Sequence, residues 1–192
     1  MEYGGSWSTD SRASDFEKME TGVNARAIDF ARFGLLFLND GRWADRQVIP
    51  SGWIAESTRP YFPQDQTEYY EPFFASLPGR AYYGYMWWGF ARPDGTYDFA
   101  AEGDKGEFIY VSPSRNLVVA RFGTEYGLSI DRWFHLFYTF SERADASVES
   151  ARVSSTRAWA SARITLHQVR QHNTLVRTRS SGTDQGQCTV DG

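Results

Sequence analysis

The sequence predicts an α+β fold, in which an antiparallel sheet has flanking helices. Apolar residues repeat with a helical period after residue 24 and again after residue 129. Short apolar runs, separated by turn residues, occupy the stretch between residues 82 and 122. The resulting order of helix, helix, antiparallel strands and helix is typical of the α+β class.

The first helix is predicted over residues 25–39. Asn24 stands at the N-cap position, where its side chain would accept a bond from a free backbone N–H, and Gly41 ends the helical pattern. The second half of this run is apolar nearly all round, which predicts that it is buried. A second helix is predicted over residues 51–58. Residues 59–80, rich in Pro, Tyr and acidic side chains, are expected to form a long surface loop.

Four strands are predicted over residues 82–90, 96–102, 107–112 and 117–122. The last two are apolar at successive positions, so both of their faces must be buried, and a sheet covered by helices on both sides meets that requirement. The residues that connect the strands have turn chemistry, and they lie at positions 92–95 and 113–116.

The final helix is predicted to begin after Ser129, whose side chain is suited to an N-cap. Its apolar residues form one stripe with helical spacing, which predicts packing against the sheet. The members of the stripe are Ile130, Trp133, Phe134, Phe137 and Phe140.

The composition excludes several classes of protein. The 192 residues carry a net charge of −4, which argues against a nucleic-acid partner, because such proteins normally show a basic surface. One cysteine excludes an internal disulfide framework and offers no cluster for structural zinc. No apolar run approaches the roughly 20 residues that a membrane-spanning helix needs. We therefore expect no nucleic acid, no membrane span, and no metal or other cofactor.

The composition changes near Arg143. Residues 1–142 hold 31 of the 32 aromatic side chains, whereas residues 143–192 hold only Trp159, with 7 Arg and 13 Ser plus Thr. A segment with so few large apolar side chains does not offset its ordering entropy by burial. We therefore expect one domain over 1–142 and a disordered or weakly helical tail over 143–192. The alternative is that the tail is foreign to the domain, for example the product of a shifted reading frame.

Several stretches of residues 1–142 resemble the serine β-lactamase-like family in their amino-acid sequence and in their order along the chain. Residues 22–34, GVNARAIDFARFG, are similar to a helix of that family. The family includes penicillin-binding proteins, class C β-lactamases, esterases and 6-aminohexanoate-dimer hydrolase. The further matching stretches are residues 36–43, 47–50, 53, 83–88, 106–113 and 117–119.

The resemblance covers the C-terminal portion of such a hydrolase, and it implies the corresponding part of the β-lactamase/transpeptidase-like fold. The family's chemistry needs a Ser-x-x-Lys pair, in which the lysine helps to activate the hydroxyl one helical turn away. Three residues before Lys18 stands Asp15, and three before Lys105 stands Glu102, so this sequence contains no such pair. It also has no Tyr-x-Asn motif, and its one Ser-x-Asn falls in the turn at 113–116. We therefore assign no catalytic residue.

One site motif of the family has a counterpart between the second and third of the four predicted strands. There the family carries Lys-Thr-Gly or His-x-Gly, which supplies an oxyanion-hole N–H, and this sequence reads Gly-Asp-Lys-Gly-Glu at 103–107. The resemblance implies substrate contact by Asp104, Lys105, Gly106 and Glu107. The alternative is a charged turn whose glycines supply unusual backbone angles.

Tyr85 and Trp87 are the other candidate substrate-binding residues. In the resembled family this region borders the substrate cleft. Aromatic residues at 82–88 would also suit a stacking platform for a sugar, or the core of the sheet.

These observations predict part of a serine hydrolase, acting on an amide, ester or β-lactam substrate in the longer enzyme and inactive alone. A missing N-terminal half would carry the nucleophile. One alternative is a non-catalytic binding module that uses the aromatic cleft. The other is a fragment that complements a separately encoded half.

Overall fold

The computed structural model describes residues 4–18, 21–62, 68–154, 168–169 and 173–177. Within them, a seven-stranded antiparallel sheet has two helices packed on one face and a third on the other. This arrangement confirms the predicted α+β class.

The large sheet is built mainly from strands that follow one another along the chain. Each neighbouring pair is antiparallel, and the spatial order is β10-β11-β9-β8-β7-β6-β5. Two small ribbons, β1 with β2 and β3 with β4, lie outside it. The strands are β1 Ser6–Trp7, β2 Val23–Asn24, β3 Arg42–Trp43, β4 Arg46–Gln47, β5 Arg80–Gly84, β6 Trp87–Ala91, β7 Tyr97–Gly103, β8 Glu107–Ser112, β9 Leu117–Arg121, β10 Gln168–Val169 and β11 Asn173–Arg177.

Three helices accompany the sheet: α1 Ala27–Leu38, α2 Ser51–Thr58 and α3 Ile130–Ser154. Helix α2 is attached to the sheet by the Tyr82 hydroxyl, which donates to the Thr58 carbonyl at 2.7 Å. No helix within the described ranges is both long and apolar enough to cross a bilayer.

The central strands β8 and β9 bury both of their faces. Ile109 and Val118 face α1, in a cluster with Phe37, and the alternate residues Phe108 and Val119 face α3 in a second cluster. The alternation follows from the two-residue period of a strand. The interpretation of these strands as covered on both sides is therefore confirmed.

Gly34 lets α1 approach the sheet closely. A Cβ placed on Gly34 would lie 2.7 Å from Val118 Cγ1 and 2.8 Å from Ile109 Cγ2, distances that real side chains do not adopt. The helix therefore rests directly on β8 and β9, and any larger residue at position 34 would lift it.

A buried polar network centred on Arg92 joins the sheet to α3. Arg92 Nε donates to Asp98 Oδ2 at 2.9 Å, and its Nη2 donates to Ser141 Oγ at 2.7 Å. Glu142 also accepts from this guanidinium, and Tyr110 donates its hydroxyl to Asp98. The Arg92 and Asp98 side chains are 2% and 0% exposed, so each charge depends on the other for compensation.

Burial and the nearby Asp98 carboxylate raise the pKa of Tyr110 well above its ordinary value. Tyr110 therefore stays protonated throughout the neutral range and remains a donor to Asp98.

Two local predictions are wrong. Asn24 does not cap α1, because it pairs with Ser6 in the β1–β2 ribbon and its side-chain amide donates to the Gly22 carbonyl. The stretch 82–90 is not one strand, because a two-residue turn at Tyr85 and Met86 divides it into β5 and β6.

The expectation of a surface loop over residues 59–80 is wrong in part. Residues 71–74 form a 3₁₀ turn, and Phe74 and Leu77 are buried in the core. Phe74 makes an edge contact with Phe134 of α3, with ring centroids 4.6 Å apart. The segment therefore extends the core under α3, while residues 63–67 lie outside the described residues.

The described part of the predicted tail contains regular structure. Helix α3 continues through Arg143 to Ser154, and β11 pairs with the edge of β9. The remaining residues of 143–192 lie outside the described residues, so the tail itself stays a prediction.

We predict that Arg92→Ala lowers the free energy of unfolding by about 3–5 kcal/mol, because it leaves Asp98 buried without its cation. Urea unfolding followed by tryptophan fluorescence measures the change. Arg59→Ala is the matched control, since it removes an arginine from an exposed pair with Glu56, and we expect it to cost much less stability than Arg92→Ala. Equal losses in the two variants would contradict the role of the network.

Candidate functional site

A cavity of about 460 Å³ opens between α1 and the ends of strands β6 to β8. Its size falls in the range of roughly 300–1,000 Å³ usual for small-molecule sites. Nine of its twenty lining residues are aromatic, and we call it the aromatic cavity. Its aromatic lining residues are Trp7, Phe30, Phe33, Phe37, Trp53, Tyr85, Trp87, Phe108 and Phe122.

Helix α1 supplies one side of the aromatic cavity through Phe30, Phe33 and Phe37. Residues separated by three and four positions lie along the same side of a helix. Phe37 is buried against the sheet, whereas Phe33 is 43% exposed. Phe30 stacks on Phe122 with centroids 4.2 Å apart, and Phe37 contacts Trp87 at 4.6 Å. The rings thus support one another from the helix and from the sheet.

The β5–β6 turn forms part of the rim with Tyr85 and Met86 in the left-handed backbone region. Their φ angles are +49° and +68°, and a two-residue hairpin turn with both angles positive is normally built from Asn and Gly. Tyr85 is 57% exposed and packs edge-on against Trp53, with centroids 5.1 Å apart. Strain at an exposed aromatic pair is typical of positions maintained for a purpose other than stability.

A second left-handed turn, at Lys105 and Gly106, connects β7 to β8 below the aromatic cavity. Their φ angles are +59° and +68°. Arg121 holds this turn from the opposite side, since its Nη1 donates to the carbonyls of Lys105 and Gly106 and its Nη2 donates to the Glu125 carbonyl. A Cβ on Gly106 would lie 2.9 Å from Arg121 Nη1, so both space and backbone angle require glycine there.

Aromatic contacts reinforce this clamp. The Arg121 guanidinium lies over the Trp133 ring at 4.2 Å, and Trp133 Nε1 donates to the Tyr126 carbonyl at 2.8 Å. The Tyr126 hydroxyl then donates to Asp104 Oδ1 at 2.8 Å. The turn is therefore tied to α3 by hydrogen bonds and by a stacked cation.

The backbone N–H groups of the turn are largely occupied. The Glu107 N–H bonds to the Asp104 carbonyl, and the Lys105 N–H bonds to the Asp104 carboxylate at 2.9 Å. In this arrangement neither group is free to donate to a substrate oxyanion, the role that the family resemblance implies for this region.

Glu107 lies on the cavity face of the sheet. It pairs with Gly103, and the register places Phe122 across from it on the other side, one residue beyond the Phe108–Arg121 pair. Glu107 Oε2 lies 3.4 Å from the point where a Gly103 Cβ would stand. The carboxylate thus occupies the space that the glycine leaves free.

Desolvation and the nearby Asp104 carboxylate raise the pKa of Glu107, although Lys105 and Arg121 act in the opposite direction. Burial and Asp104 also raise the pKa of Glu102. Glu102 borders the aromatic cavity, but it pairs with Phe108, so its side chain belongs to the face that α3 covers. Of the two glutamates, Glu107 is the one directed toward the cavity.

The structure brings four of the six candidate substrate-binding residues together: Tyr85, Trp87, Asp104 and Glu107 line the aromatic cavity. Lys105 is exposed and Gly106 is buried against the clamp, and neither lines it. Trp87 is 6% exposed and serves the core as well as the wall.

Sequence reasoning missed most of the aromatic wall. The spacing of Phe30, Phe33 and Phe37 was an available signal for a shared face, although it predicts burial as readily as ligand contact. Trp7, Trp53 and Phe122 join the wall only through tertiary packing, and no local signal marks them.

The lining of the aromatic cavity contains no Lys, Arg or His among the described residues. Its hydroxyl groups come from Thr21, Ser57 and Tyr85, and Ser57 Oγ already donates to the Ile54 carbonyl. The wall therefore offers apolar surface and carboxylates, but no nucleophile beside a basic residue.

Another concavity, of about 560 Å³, lies beside the 3₁₀ turn at residues 71–74. It contains none of the candidate residues. We therefore place the candidate site in the aromatic cavity.

Comparisons with known proteins show a likeness to a solved structure. No family model matches the sequence, and no curated protein matches it. Among solved structures, a Bacillus anthracis protein described provisionally as a 6-aminohexanoate-dimer hydrolase is similar, with a TM-score of 0.51 and 27% identity. The match covers 76% of this chain and 34% of that protein. The likeness supports a β-lactamase-like fold, and the chain spans about one third of the neighbour's length.

We predict that Met86→Gly raises the free energy of unfolding by about 1 kcal/mol, because glycine adopts a positive φ without the steric penalty of a Cβ. Met86→Ala is the matched control. It also removes the thioether near the Tyr83 hydroxyl but keeps the Cβ, so we expect no gain. Urea midpoints of the two variants test this, and equal stabilities would contradict strain at the turn.

We predict that Arg121→Lys lowers the free energy of unfolding by about 1–2 kcal/mol and speeds hydrogen exchange at residues 104–107. A lysine ammonium does not reproduce the planar fork that bonds several carbonyls and stacks on Trp133. Exchange measured by mass spectrometry checks this, with Arg46→Lys, an exposed arginine on β4, as control. Unchanged exchange in the turn would contradict the clamp.

Proposed function

We propose that this chain is part of a β-lactamase-like serine hydrolase and that its aromatic cavity holds the substrate of the longer enzyme. The observation that carries the proposal is the aromatic cavity itself, enclosed by α1 and bordered by the clamped turn at residues 103–107. The likeness to about one third of a hydrolase supports it independently.

In this proposal the chain contributes binding rather than bond-breaking chemistry. The rings of α1, Trp53 and Trp87 would surround the apolar part of an amide, ester or β-lactam substrate. Positioning and desolvating the substrate accelerate its hydrolysis only if the reacting carbonyl is held beside a nucleophile. That nucleophile would be the serine of a Ser-x-x-Lys pair outside this sequence. The substrate would acylate this serine, and water would then hydrolyse the acyl-serine bond.

The main alternative is a non-catalytic binding module that uses the same cavity. It is favoured by the cavity wall, which lacks a nucleophile beside a basic residue. A complementing fragment is a variant of the hydrolase proposal in which the serine lies on a separate chain.

We expect the chain by itself to give no turnover of nitrocefin or of p-nitrophenyl esters above the buffer rate, because it has no Ser-x-x-Lys pair. Spectrophotometric assays at high protein concentration measure this. Turnover that co-purifies with the chain and survives an independent purification would contradict the assignment of the nucleophile to another segment.

The decisive experiment is to sequence the genomic DNA upstream of the codon for Met1 and co-express what it encodes. An in-frame or adjacent Ser-x-x-Lys segment that restores turnover supports the proposal, provided that replacing its serine by alanine abolishes the activity. A region without such motifs overturns the hydrolase proposal and leaves the binding module.

A further inference from the structure

Strand β9 is buried at every position. Leu117, Val118 and Ala120 are at most 1% exposed, and Val119 and Arg121 are 5% and 7% exposed. Strand β8 pairs with one side of β9 only, so the other side carries a row of backbone N–H and C=O groups that β8 does not bond. Such groups are costly when they are buried without partners. This side of β9, which we call the β9 edge, therefore requires another strand.

Strand β11 meets that requirement along the whole β9 edge. The pairing is antiparallel and runs from Asn173 opposite Arg121 to Arg177 opposite Leu117, so each of the five residues of β9 has a partner. Helix α1 lies against both β9 and β11, which places the two strands in one layer. Strand β10 pairs with only two residues of β11. The large sheet thus ends in a very short strand, and short edge strands are one means of preventing further pairing.

Strand β9 has none of the other features that protect a sheet edge. Such edges usually carry proline, a bulge or charged side chains. The sequence of β9, Leu-Val-Val-Ala-Arg, contains no proline and one charged residue, and its register against β8 has no bulge. The charged residue, Arg121, already donates to the carbonyls of Lys105 and Gly106. In the part of the chain that the structure describes, β11 is therefore the protection of the β9 edge.

Backbone pairing contributes a large share of what holds β11 in place. The strand comes from the part of the sequence with the fewest large apolar side chains, where Trp159 is the only aromatic residue beyond position 142. The sequence of β11, Asn-Thr-Leu-Val-Arg, has two apolar residues among five. An extended segment added to a sheet edge gains its affinity mainly from main-chain hydrogen bonds. Strand β11 is thus comparable to an added strand that is carried on the same chain.

The connection to β11 is long enough to reach a second molecule. Residues 155–167 separate the end of α3 from β10. Thirteen residues span up to roughly 45 Å when extended, whereas neighbouring strands lie only about 5 Å apart. A second copy presents the same β9 edge and the same strand, and exchange of an identical element between two copies is a low-cost route to a dimer.

We infer that the β9 edge is a strand-acceptor site, filled within one chain by residues 173–177 and filled by the same residues of a second copy when two chains associate. The partner of this surface is therefore another molecule of this chain. The inference is independent of the proposed hydrolysis, because it involves neither the aromatic cavity nor a nucleophile.

Paired cysteines test whether the edge is filled within one chain. The register places position 120 opposite 174 and position 119 opposite 175. The variants are Ala120→Cys with Thr174→Cys, and Val119→Cys with Leu175→Cys, both in a Cys188→Ser background. Pairs along an antiparallel ladder alternate between closer and wider spacing, so one of the two combinations has the spacing that suits a disulfide. Ala120→Cys with Leu175→Cys is one position out of register and is the matched control.

At low protein concentration we expect an internal disulfide in at least one in-register variant and in no more than a trace of the control. Loss of free thiols at monomer mass measures it, and circular dichroism checks that each variant is folded. Equal disulfide formation in the control, or none in either in-register variant, would overturn the pairing within the chain.

Mixtures of single-cysteine chains test the second copy as the partner. One chain carries Ala120→Cys and an isotope label, and the other carries Thr174→Cys, again with Cys188→Ser. After the two are refolded together at high concentration, we expect a covalent dimer with the mass of one chain of each kind. The combination of Val119→Cys with Leu175→Cys is treated in the same way, and the out-of-register combination is the control. If neither in-register mixture exceeds the control, a second copy is not the partner.

Hydrogen exchange supplies a readout without cysteines. Leu175→Pro combined with Val176→Pro removes two successive N–H donors of β11, and one of them faces β9, since successive donors along a strand point to opposite sides. We expect the alternate amides of β9 that point away from β8 to exchange at least tenfold faster, while those that point to β8 keep their rates. Exchange followed by NMR resolves the individual amides. Thr183→Pro combined with Asp184→Pro, beyond β11 in the chain, is the control. Equal acceleration at every amide of β9, or none, would overturn the role of β11.

Discussion

The requirement to bury both faces of β8 and β9 organises the molecule. Their consecutive apolar residues are stable only between two layers, so α1 must lie on one face and α3 on the other. The aromatic cavity arises where this cover ends, at the start of β8 and beyond the end of β9. There Glu107 and Phe122 continue the strand registers one residue beyond the Phe108–Arg121 pair, and Phe122 still packs on Phe30 of α1. The site is therefore a product of the same packing that forms the core.

Two of the left-handed turns in this fold lie beside the aromatic cavity. The turns at Tyr85–Met86 and Lys105–Gly106 both place a side-chain-bearing residue in the left-handed region, and they border the cavity from neighbouring strand connections. The second turn is held by Arg121, which bonds to its carbonyls while stacking on Trp133. Geometry that a free peptide would avoid is kept where the surrounding contacts determine it, which is typical of functional sites.

The sequence predicts what depends on long local patterns. The apolar runs of β8 and β9, the helical periods of α1 and α3, and the turn at residues 92–95 follow from such patterns, and each appears in the structure. The β5–β6 turn was missed because Tyr85 and Met86 lack the Asn-Gly signal of such turns. Asn24 was misassigned because pairing with a distant strand outweighed capping. The aromatic wall was mostly missed because Trp7, Trp53 and Phe122 meet only after folding.

The contact at Gly34 fixes the distance between α1 and the sheet beside the aromatic cavity. The cavity-lining residues of α1 lie within about one helical turn of Gly34; they are Phe30, Phe33 and Phe37. The distance between Gly34 and Val118 therefore also affects the depth of the aromatic cavity beneath these rings. A methyl group added at position 34 would occupy space that Val118 now fills, and a smaller side chain at position 118 would make room for it. Gly34 and Val118, which do not line the aromatic cavity, therefore help to set its depth.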